Sequence, residues 1–356
     1  MRFLLYGANG YTGRLIAQEA VRRGLHPILA GRTASSIEPL ARELNLRSRS
    51  FPLSADNIPA IAAELADVDL VLNCAGPFAL TARPMIEACL QAKVHYLDIT
   101  GEIDVIEFAA AQSSRAVAAG ITVLPAVGFD VVPTDCLALM LLADMLSAVS
   151  LKLAFAALGQ ISRGTAKTLL RKLPEGGMVR KQGKLIKVPT AWKSQKIRFH
   201  DHARWAMTIP WGDVASAFYS TGIPDIEVYA AAPRKQIKAA TWIRWMLPAL
   251  GVTPFRQVAE WWIDRKMTGP TEAERSSGRS MIWGQVTDGQ GRTIERCLET
   301  LDGYALTIET ALAAIRRFSE SPPATGYQTP CTAFGADFIA GIPGTEVFEA
   351  SVVSGK

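Results

Sequence analysis

Arg2-Phe3-Leu4-Leu5-Tyr6-Gly7-Ala8-Asn9-Gly10-Tyr11-Thr12-Gly13 decides the architecture. Arg2–Tyr6 predicts a short buried strand, and a glycine at every third position follows it directly. Gly13–Arg23 then sets Leu15, Ile16 and Ala20 at helical spacing before Gly24 stops the run. A strand that hands over to a helix across G-x-x-G-x-x-G is the setting of a dinucleotide-binding turn. In that reading Gly7 allows the tight turn, Gly10 lets the backbone approach a pyrophosphate, and Gly13 permits close helix–strand packing. Asn9, Tyr11 and Thr12 complete the candidate phosphate-binding set. The first helical turn adds free N–H groups and a positive dipole end, which suit an anion. A glycine-rich turn without a ligand is the plain alternative.

Working outward, strands and helices keep alternating. Strands are expected at 26–30, 48–53, 69–74, 94–98 and 121–125. Helices are expected at 35–44, opened by a capping box from Ser35 to Glu38, and at 57–66, 83–92 and 105–119. Strands separated by helices of this length pair in parallel, because a parallel neighbour needs a crossover. Six such strands make an α/β fold with a Rossmann-type doubly wound parallel sheet.

The second strand chooses the cofactor. It ends Ala30-Gly31-Arg32-Thr33, where an NAD site places a carboxylate to accept from the ribose 2′-hydroxyl. A guanidinium cannot accept, but it pairs bidentately with a phosphate, so Arg32 with Thr33 beside it favours the 2′-phosphate of NADP(H). Other strands end at the same carboxyl edge. Asn73-Cys74-Ala75-Gly76-Pro77 supplies small residues past which a sugar and pyrophosphate can run, and Asp98 closes the strand after it. Asp56 is either an acceptor for the adenine amino group or an ordinary turn residue.

Composition agrees with a folded chain. A length of 356 residues suggests two domains, and 49% hydrophobic against 20% charged residues excludes wholesale disorder. Five cysteines, odd in number and without C-x-x-C, argue against a disulfide framework and for a reducing cytoplasm. No signal peptide is expected. The apolar run from Cys136 to Leu158 is broken by Asp144 and Lys152, so it reads as core helix plus strand rather than a membrane span. Within the net charge of +5 lies an asymmetric window: twelve lysines and arginines between Arg163 and Arg204 face only Glu175 and Asp201. It reads either as a field that steers an anionic partner or as a solvated surface.

The segments GANGYTG (7–13), AGR (30–32), NCAGPF (73–78), YLDITGE (96–102) and GFDVVPTD (128–135) together resemble the saccharopine dehydrogenase-like oxidoreductases. Within them the chain is most similar to the branch of trans-acting enoyl reductases. GDVASAFYSTGIPDIEVY (212–229), GPTEAER (269–275), LDGYALT (301–307) and TPCTAFG (329–335) extend the resemblance. Thr81-Ala82, Val131 and Thr134 depart from the residues frequent in relatives. The resemblance implies a Rossmann domain at 1–130, a second α+β domain with a mainly antiparallel sheet at 131–321, and a tail at 322–356 that returns to the first. It also implies an NADPH-dependent oxidoreductase, with reduction of an enoyl C=C in a lipid or polyketide-like substrate as the leading activity. An imine-reducing, opine-type dehydrogenase and a non-catalytic NADP(H) sensor are the alternatives.

The residues of the second domain offer several candidates for the chemistry. No tyrosine among Tyr96, Tyr219 and Tyr229 has a lysine four residues on, so the proton donor of short-chain reductases is absent. Asp130, at the domain junction, is placed to face a nicotinamide carboxamide. Ser162-Arg163-Gly164-Thr165 with Lys167 opens a basic helix that suits a carboxylate, thioester or phosphate. His200-Asp201-His202 places two imidazoles on one face of an expected strand. His202 is a candidate general acid, and a metal site is not expected, because no third ligand is in view. Trp242, Trp245, Trp261 and Trp262 lie among basic residues in an expected helical stretch at 240–266, which suits either a membrane interface or burial. The expected partners are a small or lipid-like substrate, carrier-bound in one reading, a peripheral membrane surface and a second copy of the chain, with no nucleic acid.

Overall fold

Phe3–Tyr6 (β1) is fully enclosed, and the computed structural model builds the first sheet around it. The structure describes residues 1–157, 176–243 and 271–353, together with Ala166, Leu170, Trp261 and Arg265. These fall into two units: Met1–Val132 with Leu306–Gly335, and Pro133–Ala305 with Ala336–Lys356.

In the first unit β1 is followed by α1 (Tyr11–Arg22), β2 (Ile28–Gly31), α2 (Ala34–Glu43), β3 (Ser48–Ser50), α3 (Ile58–Glu64) and β4 (Leu70–Asn73). Then come α4 (Phe78–Ala92), β5 (His95–Asp98), α5 (Ile103–Ala111), α6 (Ser113–Ala119) and β6 (Thr122–Leu124). The strands lie in the order β6-β5-β4-β1-β2-β3, all parallel. A seventh strand, Gly326–Tyr327, joins the outer side of β6, so the sheet has one more strand than the six expected. Helix α1 buries Ile16, Ala17 and Ala20 at the helical period.

Two helix starts differ from expectation. The Ser35–Glu38 capping box does not form, because α2 opens at Ala34 with Thr33 as its N-cap; Thr33 and Ser36 share a hydroxyl hydrogen bond of 2.8 Å. Helix α4 begins at Phe78 rather than near Arg83. Its first N–H groups, on Phe78 and Ala79, donate to the carboxylate of Glu102 at 2.8 and 3.2 Å, a cap supplied from 24 residues away.

The second unit opens with α7 (Val132–Asp144) and β7 (Ala148–Ala157). It continues with β8 (Gly177–Lys181), β9 (Lys184–Val188), β10 (Ser194–Arg198), β11 (Ala203–Thr208), α8 (Asp213–Thr221), β12 (Asp225–Ala231), α9 (Arg234–Ile243), β13 (Arg279–Asp288) and β14 (Thr293–Leu301). The sheet runs β10-β11-β12-β7-β13-β14. Its pairs are antiparallel except β12 with β7, so the sheet is mixed. Gly284 on β13 admits α7 closely, since a Cβ there would meet Leu137 and Leu141 side chains.

The chain's end divides between the units, whereas the sequence placed 131–321 with the second domain and all of 322–356 with the first. From Leu306 onward, helix Gly303–Glu320 belongs to the first unit: Thr310 donates to the Val127 carbonyl at 2.8 Å, and the Phe129 N–H donates to Thr307 at 3.0 Å. Beyond Gly335 the tail belongs to the second unit, where Glu346–Val347 and Ser351–Val353 pair with β14.

Candidate nucleotide site

Strand order reverses between β1 and β4, and the loops leaving their carboxyl ends pack on each other there. Gly7 has φ +80°, and a Cβ on it would lie 2.7–2.9 Å from the backbone and Cβ of Ala75. Only glycine fits both demands. Gly13 is equally constrained, for a Cβ there would run into the Gly7 carbonyl and come within 3.0 Å of Ala8 Cα. Gly10 is different. A Cβ on it would meet only the Gly7 carbonyl, at 3.2 Å, and the residue is exposed. It caps α1 without a side-chain hydrogen bond, and no acidic residue stands in the first turn of that helix. Backbone N–H groups and the helix dipole are thus offered to an anion with no carboxylate in that first turn, to which Tyr11 and Thr12 belong.

Arg32 leaves the end of β2 into solvent and has no ion-pair partner among the described residues. Its charge acts on the Tyr6 phenol, which burial pushes up to about 12 while Arg32 pulls partly back. Asn9 of the glycine loop reaches the same place: its Oδ1 lies 3.4 Å from where a Cβ on Gly31 would stand. Thr33 is exposed alongside. Asp56 sits beyond β3 in the short turn Ala55–Asn57, exposed, with its N–H held by Ser54 Oγ at 3.2 Å.

The loop after β4 carries Cys74, Ala75, Gly76 and Pro77. Gly76 is exposed and the Gly76–Pro77 peptide is cis. Burial raises the Cys74 thiol well above its ordinary range, and the charge of Asp98 adds to this, so the group stays an unreactive thiol. Asn73 and Asp98 are fully buried, and their side chains serve the protein itself. Asn73 donates to Thr81 (3.3 Å) and Tyr96 (3.4 Å) and accepts from the Ala75 N–H (3.0 Å). Tyr96 donates to Asp98 at 2.7 Å, and Asp98 also accepts from the N–H groups of Thr100 and Ala126. Burial pushes the Asp98 carboxyl up to about 6 against these hydrogen bonds. The two residues therefore fix the loops after β4, β5 and β6 and hold the site from beneath.

Glu102 and Asp130 were not paired by sequence reasoning, yet the structure brings them together. Thr100 Oγ1 accepts from the Glu102 N–H at 3.0 Å, which turns the Glu102 carboxylate onto the start of α4. Asp130 lies against Gly101, with Asp130 Cγ 2.9 Å from the position a Cβ on Gly101 would take. Burial and the negative charge of Glu102 push the Asp130 carboxyl up to about 7, so near neutrality it can hold or release a proton. The G-E step in YLDITGE was the available signal: a glycine that must admit a neighbour, followed by an acid next to a helix start.

The remaining candidates belong to the second unit. Lys167, Ser162, Arg163, Gly164, Thr165, Trp245 and Trp262 lie outside the described residues. His200 and His202 do not share a strand face, because β10 ends at Arg198 and they occupy the turn before β11. His200 stacks on Phe348 at 3.5 Å, and the exposed His202 Nδ1 is 3.0 Å from Asp201. In the basic window, Lys181 pairs with Asp225, Lys193 with Glu227 and Arg204 with Asp201, so part of that charge is neutralised locally.

The groups at the carboxyl edge of the first sheet fit NADP(H): an acid-free helix start for the pyrophosphate and an exposed arginine for the 2′-phosphate. Comparison with known proteins points the same way. Residues 3–124 match the family described as the saccharopine dehydrogenase NADP binding domain. A saccharopine dehydrogenase-like oxidoreductase of Homo sapiens is 27% identical over 150 residues, which are 37% of this chain and 35% of that protein. A trans-acting enoyl reductase of Mycobacterium tuberculosis is 30% identical over 144 residues, 37% of this chain and 33% of its own. The chain thus spans about a third of the length of the curated relatives it matches. Among solved structures, the apo saccharopine dehydrogenase (L-Glu forming) of Saccharomyces cerevisiae shares the fold, with a TM-score of 0.64 over 99% of this chain and 100% of that one at 14% identity.

Proposed function

We propose, from the match of residues 3–124 to the saccharopine dehydrogenase NADP binding domain, that the protein is an NADPH-dependent reductase of an enoyl C=C bond in a lipid or polyketide-like substrate. One observation carries the reading. The acid-free start of α1, the exposed Arg32 and Asp130, whose carboxyl is pushed up to about 7, all stand at the carboxyl edge of one sheet. When bound, the coenzyme supplies the hydride; the protein supplies orientation and a proton. The glycine loop takes the pyrophosphate, Arg32 takes the 2′-phosphate, and the relay from Thr81 to Asp98 keeps the loops rigid. Asp130 is the candidate proton donor, since a carboxyl pushed up to about 7 is partly protonated near neutrality. The choice of an enoyl acceptor is supported by the name of the mycobacterial relative.

The test is NADPH oxidation by the purified full chain against enoyl thioesters, imines and ketones. Turnover with the enoyl substrates supports the proposal. Turnover confined to imines would replace it with an opine-type reaction. Tight NADPH binding with no turnover on any panel member would make the protein a sensor.

A further inference from the structure

Apart from the nucleotide site, the second unit holds a cleft of about 660 Å³ between α9 and the β10–β11 pair. Trp205 and Ser194 come from the strands, and Arg234, Ile237, Lys238 and Trp242 from the helix. Strand register explains the strand side. Ser194 and Lys196 pair with Met207 and Trp205, so they share one face, while Ile197 and Ala206 turn to the buried face.

Charge on this face is one-sided. Helix α9 carries Arg234, Lys235 and Lys238 and no acidic residue, and β10 carries Lys196 and Arg198 with none either. Arg234 lies 5.0 Å over the Trp205 ring, and neither Arg234 nor Lys238 has a carboxylate partner among the described residues. Nearby cations behave otherwise: Arg204 is held by Asp201 at 2.5 Å and Lys193 by Glu227 at 2.6 Å. Arg234 and Lys235 also stand in the first turn of α9, where the helix dipole disfavours cations and favours anions. Dipole and side chains therefore both call for negative charge from outside. At the rim Trp242 is 79% exposed, an indole beside two bases on one helix.

We infer that this cleft docks the protein on an anionic phospholipid surface. Lipid phosphates enter between Arg234 and Lys238, where a guanidinium already seated over the Trp205 ring can bond two oxygens. Trp242 lies at the headgroup level, with its ring toward the acyl boundary and its N–H toward water. No helix among the described residues is long and apolar enough to cross a membrane. This contact is independent of the coenzyme reading.

The experiment is flotation of the full chain with phosphatidylcholine vesicles, with and without about one third phosphatidylglycerol. The protein should float with the anionic vesicles only and be released by salt. Arg234→Glu with Lys238→Glu should lower partitioning by about tenfold or more, and Trp242→Ala by about threefold, with NADPH affinity unchanged. Arg234→Gln with Lys238→Gln should show the same direction if the charge-reversed variant melts early. Equal binding to pure phosphatidylcholine, or unaltered binding by both pairs, would overturn the inference. So would saturable binding of glycerol phosphate with no vesicle binding, which would make the cleft a site for a small phosphate.

Discussion

Asp130 fills the space beside Gly101 that any side chain at 101 would need, since a Cβ there would lie 2.9 Å from Asp130 Cγ and 3.0 Å from Asp130 Cβ. Gly101→Ala must therefore move the carboxyl group and should destabilise by about 1–3 kcal/mol, the usual cost of overpacking, as read by urea unfolding. The pair also sets a pH dependence. The folded carboxyl is raised to about 7 against an unfolded value near ~3.9, so its contribution to stability is complete below the unfolded value and is lost as pH rises through 7. Asp130→Asn should abolish that loss, and urea midpoints compared at acid and alkaline pH will show it. If Asp130 delivers the proton, the same variant should cut turnover about 100-fold and erase the decline above pH ~7. Full activity with an unaltered profile would remove Asp130 from the reaction.

The proposed 2′-phosphate role of Arg32 predicts a coenzyme preference. NADPH should bind more tightly than NADH, and Arg32→Asp should reduce the ratio by about tenfold or more, because a carboxylate repels the 2′-phosphate and accepts from a hydroxyl. Isothermal titration with both coenzymes decides it. Equal affinities in the parent protein would refute the role.

The glycines should separate by function. Gly10→Val projects into the open side of the turn, so the variant should melt near the parent temperature while losing NADPH binding. Gly13→Val meets the Gly7 carbonyl and Ala8, which are backbone, and should unfold at markedly lower temperature. Coenzyme titration and thermal melts of the two variants side by side make the comparison.

His95 should make the first unit sensitive to acid. Its Nδ1 accepts from the Thr122 N–H at 3.0 Å, its ring meets Phe318 edge-on, and burial lowers its pKa despite the charge of Asp69. For a base lowered on folding, stability is complete above the unfolded value of about 6.5 and is lost as pH falls through it. His95→Gln should lessen the difference in urea midpoint between neutral and mildly acidic buffer, and an unchanged difference would count against it.

Local patterns carried the first sheet. Glycines at three-residue spacing between an apolar run and an amphipathic helix leave few alternatives, and Arg32 could be placed because strand ends share an edge. What escaped was long-range. The start of α4 depends on a Glu102 side chain on another loop, and the setting of Asp130 depends on Gly101. Local spacing cannot report such pairs. The side chains of Asn73 and Asp98, which the sequence placed in the cofactor-binding set, are buried and hydrogen-bond to the loops, a placement local spacing does not report. His200 and His202 looked like strand neighbours because the alternation of β10 continues in sequence past its last hydrogen bond at Arg198.

The last thirty-odd residues border two sheets in succession: Gly326–Tyr327 covers the flank of β6, and the segments at 346–347 and 351–353 then cover β14. A single cut near Ser321 would strip both borders, leaving bare main-chain donors and acceptors on each. Proteolysis or a premature stop there should thus yield a sticky, self-associating product rather than a shorter working protein.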